Sequence, residues 1–126
     1  VLAVSTMQPD RLRRIYPGLH WIIWLDRSTA HEPQDGVTII NPTNLSRVMD
    51  EIRTIGSMKE RPNLIIFEDF EEVMEANDVE RTTRFLSMVK DISMEDDLSV
   101  VVPVSYRSMR QKTRNRVQEI FETVVI

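Results

Sequence analysis

The feature that most constrains the fold is a set of short apolar segments, rich in Val and Ile and spread evenly along the chain. Segments this short, bounded by turn residues, are typical of buried strands rather than of helices. Their apolar character is nearly continuous rather than alternating, which favours strands covered on both faces, as in parallel sheets. The six predicted strands are Val1–Val4, Trp21–Leu25, Val37–Ile40, Leu64–Phe67, Val100–Val104 and Thr123–Ile126.

Helical patterns separate most of these strands. The first begins with Pro9 as its first helical residue and ends at Pro17-Gly18, and its shared inner face is predicted to be Leu12, Ile15 and Tyr16. The second is predicted to have Thr43 as its cap and to end at Gly56. The apolar face of this second helix is predicted to be Leu45, Val48, Met49, Ile52 and Ile55.

Two more helices follow in the second half of the chain. Asn77 or Asp78 is predicted to cap the third, with Val79, Phe85, Leu86, Val89 and Ile92 at mostly helical spacing. The fourth is predicted from about residue 106 to 121, with Met109, Val117, Ile120 and Phe121 inward. The polar stretch Asp26–Gly36, with Asp35-Gly36 as a turn signal, is the one long loop.

The order β-α-β-β-α-β-α-β-α-β predicts an α/β fold made of right-handed βαβ units. We expect a three-layer sandwich with a mainly parallel central sheet of about six strands. Residues 1–126 are expected to form a single domain, since this length supports one core. Because the chain begins and ends inside apolar segments, we expect it to be a piece of a longer multidomain protein.

Composition excludes several classes of protein. The absence of cysteine excludes disulfide scaffolds, thiolate metal sites and thiol nucleophiles, and the two histidines argue against a His-based zinc site. The longest apolar run, Trp21–Leu25, is far short of the roughly 20 residues that cross a bilayer. With no signal-peptide pattern, we expect a cytoplasmic protein. The net charge of −4 and the isoelectric point near 5.2 make nucleic acid an unlikely partner.

The loop after the first strand is where a nucleotide-binding domain would hold phosphate. Such a loop needs several glycines with Lys and Ser or Thr. The three glycines of the chain, Gly18, Gly36 and Gly56, all lie elsewhere. The sequence therefore predicts no P-loop and no bound cofactor. Ser5 and Thr6 are interpreted mainly as helix-entry residues, with anion binding at the helix N-terminus as the alternative.

Acidic residues mark the ends of two further strands. Asp26 closes the second strand and is either a catalytic acid or, as we favour, a polar strand end, whereas His31 is expected to be an exposed loop residue without a partner. Glu68, Asp69 and Glu71 follow the fourth strand, where a P-loop ATPase would hold magnesium. The favoured interpretation is a solvated acidic face, and the alternative is a divalent-cation site.

The charges of the second half separate into two segments. The acidic segment, residues 68–80, has seven acids and no base, and the basic segment, residues 107–116, has five bases and no acid. The bases are Arg107, Arg110, Lys112, Arg114 and Arg116. For the basic segment, exposure to solvent or pairing with the acidic segment of the same or another copy is favoured over binding of phosphate or lipid. We hypothesise that the two segments form a docking surface for a protein partner or for a second copy of the chain.

Several short motifs, in order, resemble an archaeal domain catalogued as domain of unknown function family 835. They are Val4-Ser5-Thr6 with Pro9, Ile23-Trp24-Leu25, Ile39-Ile40-Asn41-Pro42, the stretch from Leu64 to Met74, and Phe85-Leu86. The resemblance covers almost the whole chain. It implies a RecA-like or Rossmann-like fold, namely that of a degenerate relative of the RecA-like ATPases that has lost the phosphate loop and lies at the ends of signalling proteins. It supplies no catalytic residues, and this chain has Glu72 where the family commonly has tyrosine.

Three functions are compatible with these features. The first is a non-catalytic signalling or protein-interaction domain with a pseudo-ATPase-like fold. The second is a small-ligand or nucleotide sensor that binds at the strand ends. The third is a metal-dependent phosphohydrolase using Glu68, Asp69 and Glu71. In each case we expect Trp24, Ile66, Phe85 and Val102 to be buried, with the helix that carries Phe85 packed on the sheet formed by the other three.

Overall fold

The chain forms an α/β fold around one parallel sheet. The structure, a computed structural model, describes residues 1–28, 31–103 and 110–120. Within this part of the chain, the elements are β1 (Leu2–Ser5), α1 (Pro9–Ile15), β2 (Trp21–Leu25), β3 (Val37–Ile40), α2 (Leu45–Gly56), β4 (Leu64–Phe67), α3 (Phe70–Ala76), α4 (Val79–Glu95), β5 (Ser99–Val101) and α5 (Gln111–Ile120). The predicted fold class is confirmed.

The sheet has the strand order β3-β2-β1-β4-β5, and every neighbouring pair is parallel. This is the doubly wound order of dinucleotide-binding folds. Five strands are seen in the described residues, where about six were predicted. The predicted strand Thr123–Ile126 and residue Val104 lie outside them. The predicted strand Val100–Val104 is shifted, because β5 begins at Ser99 and ends at Val101.

Two apolar clusters cover the two faces of the sheet. The larger contains side chains of β1, β4 and the helices α2 to α5, and the smaller contains Ala3, Leu12, Ile22 and Trp24, covered by α1. Phe85 and Trp24 are both buried, as predicted, but they belong to different clusters. The helix of Phe85, α4, packs on the sheet as predicted, but on the face opposite to Trp24, because neighbouring side chains of a strand point to opposite faces. Ile66 is buried as predicted, and Val102 is half-buried.

Local hydrogen bonds explain where the helices begin. Asp78 caps α4 as predicted, since its carboxylate accepts the Arg81 N–H at 2.7 Å. The cap of α2 is Asn44 rather than the predicted Thr43. Thr43 is instead held by Asn41, whose Oδ1 accepts both the backbone N–H and the hydroxyl of Thr43. The predicted inner face of α2 is buried throughout.

Two details of the helices differ from prediction. Ile15 was expected to face inward but is 50% exposed. The helix α1 has only two turns. Around its circumference, Pro9 and Tyr16 lie on one side of Leu12, and Ile15 lies on the other side. The sheet covers the side of Pro9 and Tyr16, so Ile15 faces away from it. The helix α3 was not predicted. It buries Phe70 and Val73 within the acidic segment and ends at the buried Asn77.

Within the described residues, no helix is both long and apolar enough to span a membrane.

Candidate functional site

The strand order places a crevice between the carboxyl ends of β1 and β4. The chain winds outward from β1 through β2 to β3 and then returns to form β4 and β5, so the direction of winding reverses between β1 and β4. In open parallel sheets, ligands bind at such a switch point, outside the carboxyl ends of the strands. Two pairs of predicted site residues lie here, Ser5 and Thr6 after β1 and Glu68 and Asp69 after β4.

The turn after β1 is held by its own polar groups. Ser5 is fully buried, and its Oγ accepts the Met7 N–H at 2.9 Å. The Thr6 carbonyl accepts the indole N–H of Trp24 at 3.3 Å. The helix α1 then begins with Pro9, which has no N–H to offer a ligand. In this arrangement Ser5 and Thr6 shape the entry to α1, which agrees with the interpretation favoured from sequence.

Glu68, at the end of β4, is hydrogen-bonded inside the domain. The Tyr16 hydroxyl donates to Glu68 Oε1 at 2.5 Å, the short distance expected when the acceptor is a carboxylate. This bond, together with partial burial and the negative charges of Glu68 and Asp69, raises the pKa of Tyr16 from 10.0 to about 12. The Glu68 N–H donates to the Val4 carbonyl at 3.0 Å and so extends the pairing of β1 with β4.

Asp69 makes the sharp turn from β4 into α3. Its backbone lies in the left-handed region at φ 56°, and its carbonyl accepts the Glu72 N–H at 3.0 Å. Aspartate tolerates this conformation better than most residues. Asp69 and Glu71 are both half-buried. Among the described residues, no three His, Cys, Asp or Glu side chains are grouped so that they could hold a metal ion, and this includes Glu68, Asp69 and Glu71.

Asp26 and His31 form a pair at the end of β2. His31 Nε2 lies 2.6 Å from Asp26 Oδ2, and the His31 ring lies against the Trp24 ring at a tilt of 40°, with centroids 4.2 Å apart. Partial burial by itself raises the pKa of Asp26, but the hydrogen bonds from His31 and from the Ser28 and Arg27 backbones outweigh it and lower the pKa below 3.8. The prediction that His31 has no partner is wrong, because His31 lies against Asp26 and Trp24 at the end of β2.

A cavity of about 330 Å³, here called the carboxyl-edge cavity, lies beside the switch point. Thr6, Arg27 and Pro42 line it from the ends of β1, β2 and β3, and α3 contributes Glu72, Glu75 and Ala76. The buried Asn77 fixes two of its walls, since its amide nitrogen donates to the Pro42 and Val73 carbonyls at 2.9 Å each. Sequence reasoning missed Arg27, Glu72 and Glu75 as a group, because only the sheet order brings these segments together.

The two charged segments are described to different extents. In the acidic segment, Glu72, Glu75, Asp78 and Glu80 are exposed. In the basic segment, Arg110 is exposed and Arg114 is half-buried. The predicted partner residue Arg107 lies outside the described residues, as do the side chains of Lys112 and Arg116. The helices α3 and α5, which carry described parts of the two segments, lie on the same side of the sheet, because α4 contacts both.

The Tyr16–Glu68 hydrogen bond predicts a loss of stability at alkaline pH. Because the pKa of Tyr16 is raised on folding, the bond stabilises the fold fully below about pH 10, the unfolded value, and its contribution falls between pH 10 and pH 12. We expect the stability difference between wild type and Tyr16→Phe to shrink by roughly 1 kcal/mol by about pH 11. Urea unfolding from about pH 8 upward measures this difference.

The control for this experiment is Glu68→Gln, which removes the carboxylate and keeps the tyrosine. Its unfolding should show the same weakened pH dependence as that of Tyr16→Phe. A difference between wild type and Tyr16→Phe that stays constant through about pH 11 would show that the bond contributes nothing specific to the protonated phenol.

Comparison with known proteins gives no match among protein-family models, curated proteins or solved structures.

Proposed function

We propose that this chain is a non-catalytic protein-interaction domain, used in signalling, that keeps the fold of a nucleotide-binding domain. The observation that carries the proposal is the Tyr16–Glu68 hydrogen bond of 2.5 Å at the end of β4. In an ATPase of this architecture, the strand-end acid acts on magnesium and water. Here that acid accepts a hydrogen bond from the Tyr16 phenol of the same domain, and the facing turn after β1 has a buried serine hydrogen-bonded to its own backbone.

The resemblance to the archaeal family supports the signalling part of this proposal. It implies an ATPase-like fold without a phosphate loop, placed next to sensor or kinase modules. We propose separately that the protein works in the cytoplasm. The described turn between β1 and α1 is consistent with that implication, since it contains neither glycine nor lysine. We therefore propose a protein partner or a second copy of the chain, and not a nucleic acid.

Charge supports a homodimer in particular. The acidic and basic segments lie on the same side of the sheet, and a two-fold axis through that side would place each acidic segment against the basic segment of the other copy. Complementary charges of this kind raise the rate of association and set orientation, while salt screens them. Association should therefore weaken as salt is added.

Sedimentation velocity with charge-reversed variants tests the proposal. At low ionic strength, where the Debye length is about 30 Å, we expect dimerisation that depends on protein concentration. This dimerisation should weaken at about 0.15 M salt, where the Debye length is about 8 Å. Glu80→Lys in the acidic segment and Arg110→Glu in the basic segment should each weaken it, since both side chains are exposed. The matched control is Arg14→Glu on α1, which changes the net charge equally on the other face.

Two results would contradict self-association through these segments. One is a wild-type monomer at every protein concentration and salt concentration. The other is a dimer that Arg14→Glu weakens as much as Arg110→Glu does, because the effect would then follow net charge rather than the charged segments.

A second candidate function is a small-ligand sensor, and the carboxyl-edge cavity favours it. The cavity lies at the edge of the sheet where α/β domains bind ligands, and its lining mixes charged and apolar side chains. The cavity and the acidic segment share Glu72 and Glu75, so a ligand bound there and a second copy of the chain would compete for these two side chains.

A further inference from the structure

We propose that the carboxyl-edge cavity binds a small zwitterion, a free amino acid, with its carboxylate on Arg27 and its amine between Glu72 and Glu75. This inference rests on the second candidate function, a small-ligand sensor, and names the class of ligand. It does not require the domain to dimerise, although a dimer would use Glu72 and Glu75 of the same cavity.

The first argument is that three charged side chains face one cavity without internal partners. Arg27, Glu72 and Glu75 all line it, and within the described residues none of their side chains forms an ion pair or a hydrogen bond. No guanidinium nitrogen of Arg27 lies within 4.0 Å of a carboxylate oxygen of Glu72 or Glu75. A molecule that carries both charges can bridge this gap.

The second argument concerns the charge of the ligand. Two carboxylates against one guanidinium disfavour a phosphate or a nucleotide, which would bring further negative charge. A simple amine would satisfy Glu72 and Glu75 but would be repelled by Arg27. A zwitterion satisfies all three groups, because guanidinium and carboxylate form a bidentate pair and an ammonium has donors for both glutamates.

The third argument is the placement of the glutamates. Glu72 and Glu75 lie three positions apart on α3, which makes them neighbours on one helix face. Arg27 comes from the end of β2, so it approaches the cavity from a different element. Between Arg27 and the two glutamates, Pro42 and Ala76 form an apolar part of the cavity wall. The Asn77 amide donates a hydrogen bond to the Pro42 carbonyl and so holds this wall in place. The volume of about 330 Å³ lies at the lower end of the range for small-molecule pockets.

Calorimetry and thermal unfolding with single amino acids test the inference. Each standard L-amino acid is added to the whole 126-residue chain at about 10 mM, beside its N-acetyl and its carboxamide analogue. We expect at least one amino acid to bind and to raise the melting temperature. Both analogues of that amino acid should fail, since one lacks the amine and the other lacks the carboxylate.

Variants assign the binding to the cavity. Arg27→Met, Glu72→Gln and Glu75→Gln should each weaken the binding by about tenfold or more, the usual effect of losing a charge-assisted hydrogen bond. Arg14→Met and Glu80→Gln are the matched controls, since both side chains are exposed and neither lines the cavity. All five side chains are exposed, so the variants are expected to fold, and circular dichroism checks this.

Three outcomes would overturn the inference: no amino acid binds, an analogue binds as well as its parent, or the cavity variants bind as the controls do. The same thermal panel includes ATP and GTP with magnesium. A shift with these nucleotides would contradict the proposed loss of nucleotide binding from this ATPase-like fold, whereas the cavity is judged on the amino acids and variants alone.

Discussion

Replacing Phe85 with alanine is expected to lower the free energy of unfolding by about 3–5 kcal/mol. Phe85 is 3% exposed on α4, and its ring meets Phe67 edge-on at 5.9 Å and stacks on Phe70 at 6.5 Å. Removing the ring leaves a cavity among β4, α3 and α4 and eliminates both aromatic contacts, each of which adds roughly 0.5–1.5 kcal/mol to burial. Urea unfolding of the variant and the wild type measures the loss.

Met94→Ala is the control for this prediction. Met94 lies on the same helix but is 68% exposed, so its truncation should change the stability by no more than about 0.5 kcal/mol. A loss below about 1 kcal/mol for Phe85→Ala would mean that the three rings do not form a packed unit. In that case the attachment of α3 to the sheet would have to come from other contacts.

The features that sequence predicts well here are those set by local periodicity. The inner face of α2 repeats at helical spacing, and all of its predicted residues are buried. The strands are recognisable because their segments are apolar throughout, as burial on both faces requires. The cap at Asp78 is predictable for the same reason, since capping depends only on residues within one turn.

The missed features depend on contacts between distant segments. The helix α3 has only Phe70 and Val73 buried among acidic residues, so its local pattern is weak and tertiary packing stabilises it. The Tyr16–Glu68 bond requires both the end of α1 and the pairing of β1 with β4. The carboxyl-edge cavity requires the order of three strands. No local motif marks either site, because neither is built from neighbouring residues.

The turn at Asp35-Gly36 is predicted from the sequence, and the structure shows why glycine is needed at position 36. Gly36 has φ +74°, and a Cβ at this position would lie 2.6 Å from the His20 carbonyl oxygen. The Gly36 carbonyl also accepts the Ile22 N–H at 2.8 Å, where β3 begins to pair with β2. Glycine is therefore required both by the backbone conformation and by the close approach of the two chain segments.

Gly36→Ala is expected to lower the free energy of unfolding by about 2–3 kcal/mol. The added methyl group meets a backbone carbonyl, which cannot move as a flexible side chain could, so relief requires a shift of β3 away from β2. Gly18→Ala is the matched control, since a Cβ there has no heavy atom within 4 Å, and its stability should change by less than about 0.5 kcal/mol. Equal melting temperatures for the two variants would mean that the β2–β3 connection does not need a left-handed residue at position 36.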